Sequence, residues 1–191
     1  MKKRTMNPTM KGMAYLFSGL FAIGTFVSCD NDDDNPEPVN EEEVITTMNV
    51  TLTAAGTTVT LRSFDDDGDG PNAPEVTVSG DLAANTTYAG SIELLNETES
   101  PAEDITEEVA EEDEEHQFFF TTGGAISSVT YTDQDGGGNP VGLSFDLTTG
   151  DAGSGTLLIT LRHEPKKPND GSLADAGGET DIAQSFTITV E

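Results

Sequence analysis

The sequence predicts an all-β protein, an antiparallel β-sandwich of immunoglobulin-like type with about nine strands and at most one short helix. Apolar and polar residues alternate in short segments, which is the period of a strand with one buried face. Valine and threonine favour strands and dominate these segments, and clusters of glycine, asparagine, aspartate and proline separate them. The nine alternating segments are residues 48–52, 59–61, 76–78, 88–94, 118–120, 129–131, 141–147, 157–161 and 186–190.

One short helix is predicted between the fourth and fifth of these strands. Ser100 and Glu103 have the spacing of a capping box, and Pro101 stands at the first helical position. Ile105 and Val109 then fall on one helical face. Acidic residues recur four apart along the same segment and repel one another, so we expect the helix to fade into a loop.

The lengths of the connections predict a molecule with one acidic end. If each strand runs opposite to the strand before it, the second, fourth, sixth and eighth connections lie at the same end. We call this end the acidic crown; its connections are residues 64–75, 96–115, 133–140 and 164–181. They carry 23 acidic residues, whereas the four short connections at the other end carry only Asp81 and Asp151. Binding sites of β-sandwiches tend to lie in clustered loops, so we expect function at the crown.

The first 28 residues have the features of an export signal peptide. A basic start precedes an apolar run over residues 13–27, which is too short to span a bilayer as a mature helix. The stretch Phe26-Val27-Ser28-Cys29 is similar to a bacterial lipobox, and Cys29 is the only cysteine of the chain. We therefore predict that Cys29 is acylated and anchors the mature protein to a membrane; the alternative is a secreted protein with an incidental cysteine.

Charge separates the remaining chain into a tether and a domain. Residues 29–43 are rich in acids and nearly devoid of apolar residues, which predicts an extended tether before a sandwich domain of residues 44–191. All 36 acidic residues follow Cys29 but only four of the eight basic residues do, so the mature chain carries a formal charge of −32. Such a chain repels nucleic acid and anionic lipid surfaces, and it attracts cations.

A calcium site is the first candidate in the crown. One stretch matches the first half of a D-x-D-x-D-G calcium loop, through Asp65, Asp67, Asp69 and Gly70. The twelfth loop position is Val76 rather than glutamate, so any further ligand has to come from a neighbouring connection, where Asp133 and Asp135 form a weaker copy of the pattern. The alternative is that turns simply use these residue types.

A transition-metal site is the second candidate. His116 and His163 each continue an apolar alternation one step beyond its end, so both should point to the core side at the crown. Glu115 and Glu164 are their neighbours in the chain, and imidazoles with carboxylates suit zinc or copper. The alternative is that histidines at strand ends only cap the core or bond to the backbone.

Signatures of enzymes are missing from the sequence. It contains no GxSxG, HExxH, Walker-type or dinucleotide-binding GxGxxG motif, and we predict a protein that is not an enzyme.

Three segments, EEDEEHQFFF (111–120), LRHEPKKPNDG (161–171) and DAGGETDI (175–182), together with the lipobox, resemble small acidic lipoproteins of flavobacterial type. The likeness covers most of the mature domain. Some of these proteins carry the label "type 1 periplasmic binding fold superfamily", which denotes a two-lobed α/β architecture; this chain has neither the length nor the strand–helix alternation for it. The resemblance implies no established activity, but it directs attention to His116, His163, Glu164 and Asp181.

Two functional expectations follow. The first is a lipoprotein anchored to the outer membrane, on its periplasmic or surface-exposed face, with a non-catalytic acidic binding domain whose loops are ordered by Ca²⁺. The alternative is an accessory lipoprotein that captures Zn²⁺ or Cu²⁺ for an outer-membrane transporter. In both cases the expected partners are the membrane, through the lipid anchor, and an envelope receptor or transporter.

Overall fold

The computed structural model describes residues 43–66 and 71–191. The predicted signal peptide, Cys29 and the tether up to residue 42 lie outside the described residues, as do Asp67 and Asp69. Ten strands and two helices follow one another in the described part: β1 (Thr47–Ala54), β2 (Thr57–Phe64), β3 (Glu75–Val78), β4 (Thr87–Asn96), β5 (Glu103–Asp104), α1 (Ile105–Glu111), β6 (His116–Gly124), β7 (Ile126–Tyr131), β8 (Ser144–Thr149), β9 (Gly153–His163), α2 (Leu173–Ala176) and β10 (Glu179–Val190).

The strands form two antiparallel sheets that pack face to face, which confirms the prediction of an all-β sandwich. The larger sheet has the order β3-β2-β1-β4-β8-β7, with the two-residue strand β5 attached to β4. The smaller sheet has the order β10-β9-β6. Strand alternation turns one set of side chains inward from each sheet, and these sets meet in the core.

The core is filled by aliphatic and aromatic side chains from both sheets. Met48, Val50 and Leu52 of β1 have no exposed surface, and the large rings of Phe118 and Phe145 are also buried. Gly90 on β4 leaves room for one of these rings, because a Cβ at this position would lie 2.4 Å from Phe145.

The strand registers confirm that the long connections share one end. Thr47 at the start of β1 is opposite both Phe64 at the end of β2 and Leu95 near the end of β4. In the smaller sheet, His116 at the start of β6 is opposite His163 at the end of β9. A hydrogen bond of 2.9 Å from the Ser63 hydroxyl to the side chain of Gln184 joins the two sheets at this end.

The chain enters and leaves the sandwich at opposite ends. Thr46 precedes β1 at the crown, where its backbone N–H donates to Leu95. Glu191 follows β10 at the far end, where its N–H and C=O bond to Leu82 and Ala84. Residues 43–46, which precede β1 and which we call the N-terminal arm, are therefore part of the crown.

The helices differ from the prediction in number and in start. Ser100 does not cap α1; the cap is Asp104, whose side chain accepts a hydrogen bond from the N–H of Thr106 at 3.0 Å. The reason is that Glu103 and Asp104 still pair with β4 as β5, so the helix cannot begin earlier. Ile105 and Val109, which were predicted to share one helical face, are both buried.

A second helix, α2, exceeds the predicted maximum of one. It has four residues and is capped by Ser172. A single turn shows no apolar periodicity, so its serine, aspartate and glycine residues are indistinguishable from those of a loop. Neither helix of the described residues has the length and apolar character needed to cross a membrane.

Candidate metal centre

Two histidines lie side by side at the crown. His116 begins β6 and His163 ends β9, and the strand register places them directly opposite each other. Their ring centroids are 4.6 Å apart, with the ring planes tilted by 34°. Both residues are buried, as their phase in the sequence predicts. The smaller sheet thus holds two imidazoles at the crown end of its strands β6 and β9, with little access to solvent.

The hydrogen bonding of His116 identifies which ring nitrogen is available to a ligand. Nδ1 lies 3.2 Å from the backbone carbonyl oxygen of Glu112. A carbonyl oxygen only accepts, so Nδ1 carries the proton of the neutral ring and Nε2 presents its lone pair. A histidine that binds a metal commonly donates its second N–H to a carbonyl in this way.

Glu43 faces that nitrogen from the N-terminal arm. Its Oε1 lies 3.2 Å from His116 Nε2, and its side chain is 9% exposed. His116 Nε2 and the other carboxylate oxygen, Glu43 Oε2, are both buried without a well-aligned hydrogen-bond partner. The lone pair of the neutral His116 Nε2 and the Glu43 carboxylate repel each other unless a cation, either a proton or a metal ion, lies between them.

Glu43 is the site residue that the sequence analysis misses. The prediction assigns it to the tether of residues 29–43; in the structure its side chain is only 9% exposed and lies beside His116. The residue stands in a run of acids with no apolar pattern. Its side chain contacts His116, which is distant in sequence, so no local pattern around Glu43 predicts that it is shielded from solvent.

In the absence of a metal ion the environment of His116 favours the protonated ring, so a bound ion would have to take the place of the proton on Nε2. Burial alone would lower the pKa of His116, but the Glu43 carboxylate, the Glu112 carbonyl and the nearby Asp181 outweigh burial and raise the pKa above its ordinary value. Asp181 lies on β10 close enough to act electrostatically, but it belongs to neither of the candidate ligand groups described next.

Two groups of possible ligand atoms share His163. Within each group the ligand atoms lie within 4.8 Å of one another. The inner group is Glu43, His116 and His163; the outer group is Glu115, His163 and Glu164. Among the described residues these are the groups of at least three such side chains that meet this distance, and they contain four of the five residues predicted for a transition-metal site.

A cleft connects the inner group with solvent. Its volume is about 400 Å³, and His163 and Glu43 form part of its wall. The remaining wall comes from the N-terminal arm, the end of β2, the loop between β2 and β3, and the beginning of β10, where Asp181 lies. Solvent can therefore reach Glu43 and His163 from this side, whereas His116 does not line the cleft.

Of the aspartates predicted for calcium, the three that the structure describes, Asp65, Asp133 and Asp135, are not gathered into a common ligand group. The two oxygens of Asp133 accept hydrogen bonds from the backbone N–H groups of Gly142 (2.7 Å) and Ser144 (2.8 Å). Asp133 thus stabilises the conformation of its own loop. Asp65 lines the cleft, and neither Asp133 nor Asp65 belongs to either of the two ligand groups. The calcium prediction for the 65–69 stretch stays a prediction, because its two central aspartates lie outside the described residues.

Asp135 also stabilises the conformation of its own loop. Its Oδ1 accepts from the backbone N–H groups of Gly137 (2.9 Å) and Asn139 (2.7 Å), and its Oδ2 lies 3.1 Å from Lys167 Nζ. Burial alone would raise the pKa of Asp135, but Asn139 and Lys167 outweigh it and lower the pKa below its ordinary value. Lys167 also donates to the carbonyl of Asp113, so one ammonium joins three of the crown connections.

Comparison with known proteins adds no assignment. A scan against protein families, a search of curated proteins and a search of solved structures each found no match to this chain.

Proposed function

We propose that this chain is a lipid-anchored envelope protein that binds one transition-metal ion, Zn²⁺ or Cu²⁺, between Glu43, His116 and His163. The observation that carries the proposal is the meeting of ligand atoms of Glu43, His116 and His163 within 4.8 Å of one another, where the buried His116 Nε2 lies 3.2 Å from the Glu43 carboxylate. Tetrahedral zinc with bonds of about 2.0–2.1 Å separates neighbouring ligand atoms by roughly 3.3 Å, so the spacing fits a shared ion.

The ligand set supports a transition metal over calcium. Two imidazoles and one carboxylate are ligands that zinc and copper accept, whereas calcium requires a larger number of oxygen ligands. Three protein ligands leave one position of a tetrahedral ion for water or for a ligand of a partner. An ion held in this way can be passed on, which suits an accessory protein of an outer-membrane transporter.

The charge of the molecule supports the same function. A formal charge of −32 after Cys29 raises the local concentration of cations around the domain. The charge does not select zinc or copper over other cations; selection comes from the imidazoles. The remaining acids of the crown then act on the rate of encounter and not on the choice of metal.

A calorimetric titration tests the proposal on the full chain, purified in detergent and stripped with a chelator. We expect one zinc ion per chain. His116→Asn should abolish binding while it keeps a donor for the Glu112 carbonyl, because the asparagine amide nitrogen takes the place of Nδ1 and Nε2 is deleted. Glu43→Gln should also weaken binding, and Glu107→Gln, the same change on the exposed face of α1, should not.

Two results would overturn the proposal. One is the absence of zinc and copper binding to the unaltered chain; the other is unchanged binding in both His116→Asn and Glu43→Gln.

Titration with calcium in the same experiment tests the alternative function. Calcium binding that is lost in Asp67→Ala but kept in His116→Asn would support loops ordered by calcium.

A further inference from the structure

The two ligand groups that share His163 differ sharply in exposure. In the inner group, the His116 side chain has no exposed surface and that of Glu43 is 9% exposed. In the outer group, the Glu115 side chain is 59% exposed, and Glu164 is exposed as well. One histidine therefore belongs to a buried and to an exposed set of ligands at the same time.

His116 has no exposed surface and does not line the cleft, so an ion that enters the inner group must give up water to reach it. A dissolved metal ion carries a shell of water, and the loss of that water before any protein ligand replaces it is strongly unfavourable. An exposed set of ligands solves the problem, since it replaces part of the shell at the surface. The ion then needs only an exchange of ligands to move inward.

The backbone holds the outer group beside the inner one. Glu115 directly precedes His116 and Glu164 directly follows His163, and the N–H of Glu164 donates to the carbonyl of Glu115 at 2.7 Å. The carboxylate Oε2 of Glu115 lies 3.9 Å from Nε2 of His163. The shared histidine is thus in reach of both sets without any rearrangement of the strands.

We infer that Glu115 and Glu164 capture the ion at the surface together with His163 and pass it to Glu43 and His116, with His163 as the ligand common to both positions. The inference rests on the proposed function. It adds that the outer carboxylates control the rate of loading and unloading, whereas Glu43 and His116 control the affinity. No bond is made or broken other than those between the ion, water and the protein ligands.

Stopped-flow measurement of zinc association and dissociation, on the full chain in detergent, separates the two roles. The test variant is Glu115→Gln/Glu164→Gln. The control is Glu111→Gln/Glu114→Gln, which removes the same charge from exposed residues of the same connection. We expect the test variant to slow association and dissociation by about tenfold each, with the dissociation constant changed less than about threefold, and the control to slow association less than about twofold.

Failure of the inference is distinct from failure of the proposed function. If the test variant associates as fast as the control, or if it loses affinity with an unchanged association rate, the outer carboxylates are not a loading site and the inference is wrong. The proposed function stands in both cases, because it depends on Glu43 and His116. If the unaltered chain binds no zinc, the proposed function fails and the inference falls with it.

Discussion

Replacing Lys167 by methionine should destabilise the domain strongly, because the variant leaves a buried carboxylate without its counter-ion. The side chains of Lys167 and Asp135 are only 7% and 1% exposed, and their charged atoms are 3.1 Å apart. Methionine approximates the length of the lysine stem without the ammonium group. The change therefore isolates the charge and the hydrogen bonds, including the one donated to the carbonyl of Asp113.

The magnitude follows from what Asp135 retains. Removal of one partner from a buried ion pair costs about 3–5 kcal/mol. Asp135 keeps the backbone donors of Gly137 and Asn139 and the Asn139 amide, so we expect the lower limit, about 3 kcal/mol. In Lys167→Met/Asp135→Asn no charge is buried and the asparagine oxygen still accepts from the loop, so the double variant should regain about half of that loss.

Urea unfolding followed by circular dichroism measures both effects. A loss below about 1 kcal/mol in Lys167→Met would refute the reasoning, since it would give the pair the value of an exposed one.

The dependence of stability on pH provides a second test of the same ion pair. The folded pKa of Asp135 lies below its ordinary value, so its contribution is present above about pH 4 and is lost as the pH falls through the folded pKa. The stability difference between the unaltered chain and Asp135→Asn should therefore shrink on acidification. A difference that grows would contradict a lowered pKa of Asp135 in the folded state.

Three further predictions concern the anchor, the helix and the metal centre. Cys29→Ser removes the thiol that acylation requires, so the protein should move from the membrane fraction to the soluble fraction; retention in the membrane would disprove a lipid anchor. Asp104→Ala deletes the cap of α1 and should reduce the free energy of unfolding by about 1 kcal/mol, measured in urea, whereas Asp104→Asn keeps an acceptor and should change it little. Gly178→Ala places a Cβ 2.2 Å from the carbonyl oxygen of His163 at a φ of +68°, so zinc affinity in calorimetry should fall by about tenfold. Gly171→Ala carries similar backbone strain without that contact and should bind zinc normally; equal losses in both variants would point to strain alone.

Much of the fold could be predicted because period-two alternation is a property of each strand by itself. β1 and β9 show it over their whole buried face. The elements that were missed, β5 and α2, have two and four residues, which is too short for any period to appear. The acidic crown could be predicted because antiparallel order fixes the end at which each connection lies.

The candidate site could be predicted only in part, for a physical reason. His116 and His163 carry a local signal, since each continues the phase of its strand. Glu43 carries none: its burial arises from a contact with a strand of the other sheet. Conversely, Asp135 lies in a stretch that resembles a calcium loop, and only the tertiary contact with Lys167 shows that its oxygens are already used.

Glu43 and Glu191 lie at opposite ends of the described domain, so tags placed near them would affect metal measurements differently. A polyhistidine tag fused close to Glu43 would place competing imidazoles beside the ligand groups and would distort every metal titration. A tag or fluorophore after Glu191 would lie at the far end of the sandwich, where the C-terminus bonds to Leu82 and Ala84. C-terminal fusions are therefore the suitable choice for measuring metal binding in this protein.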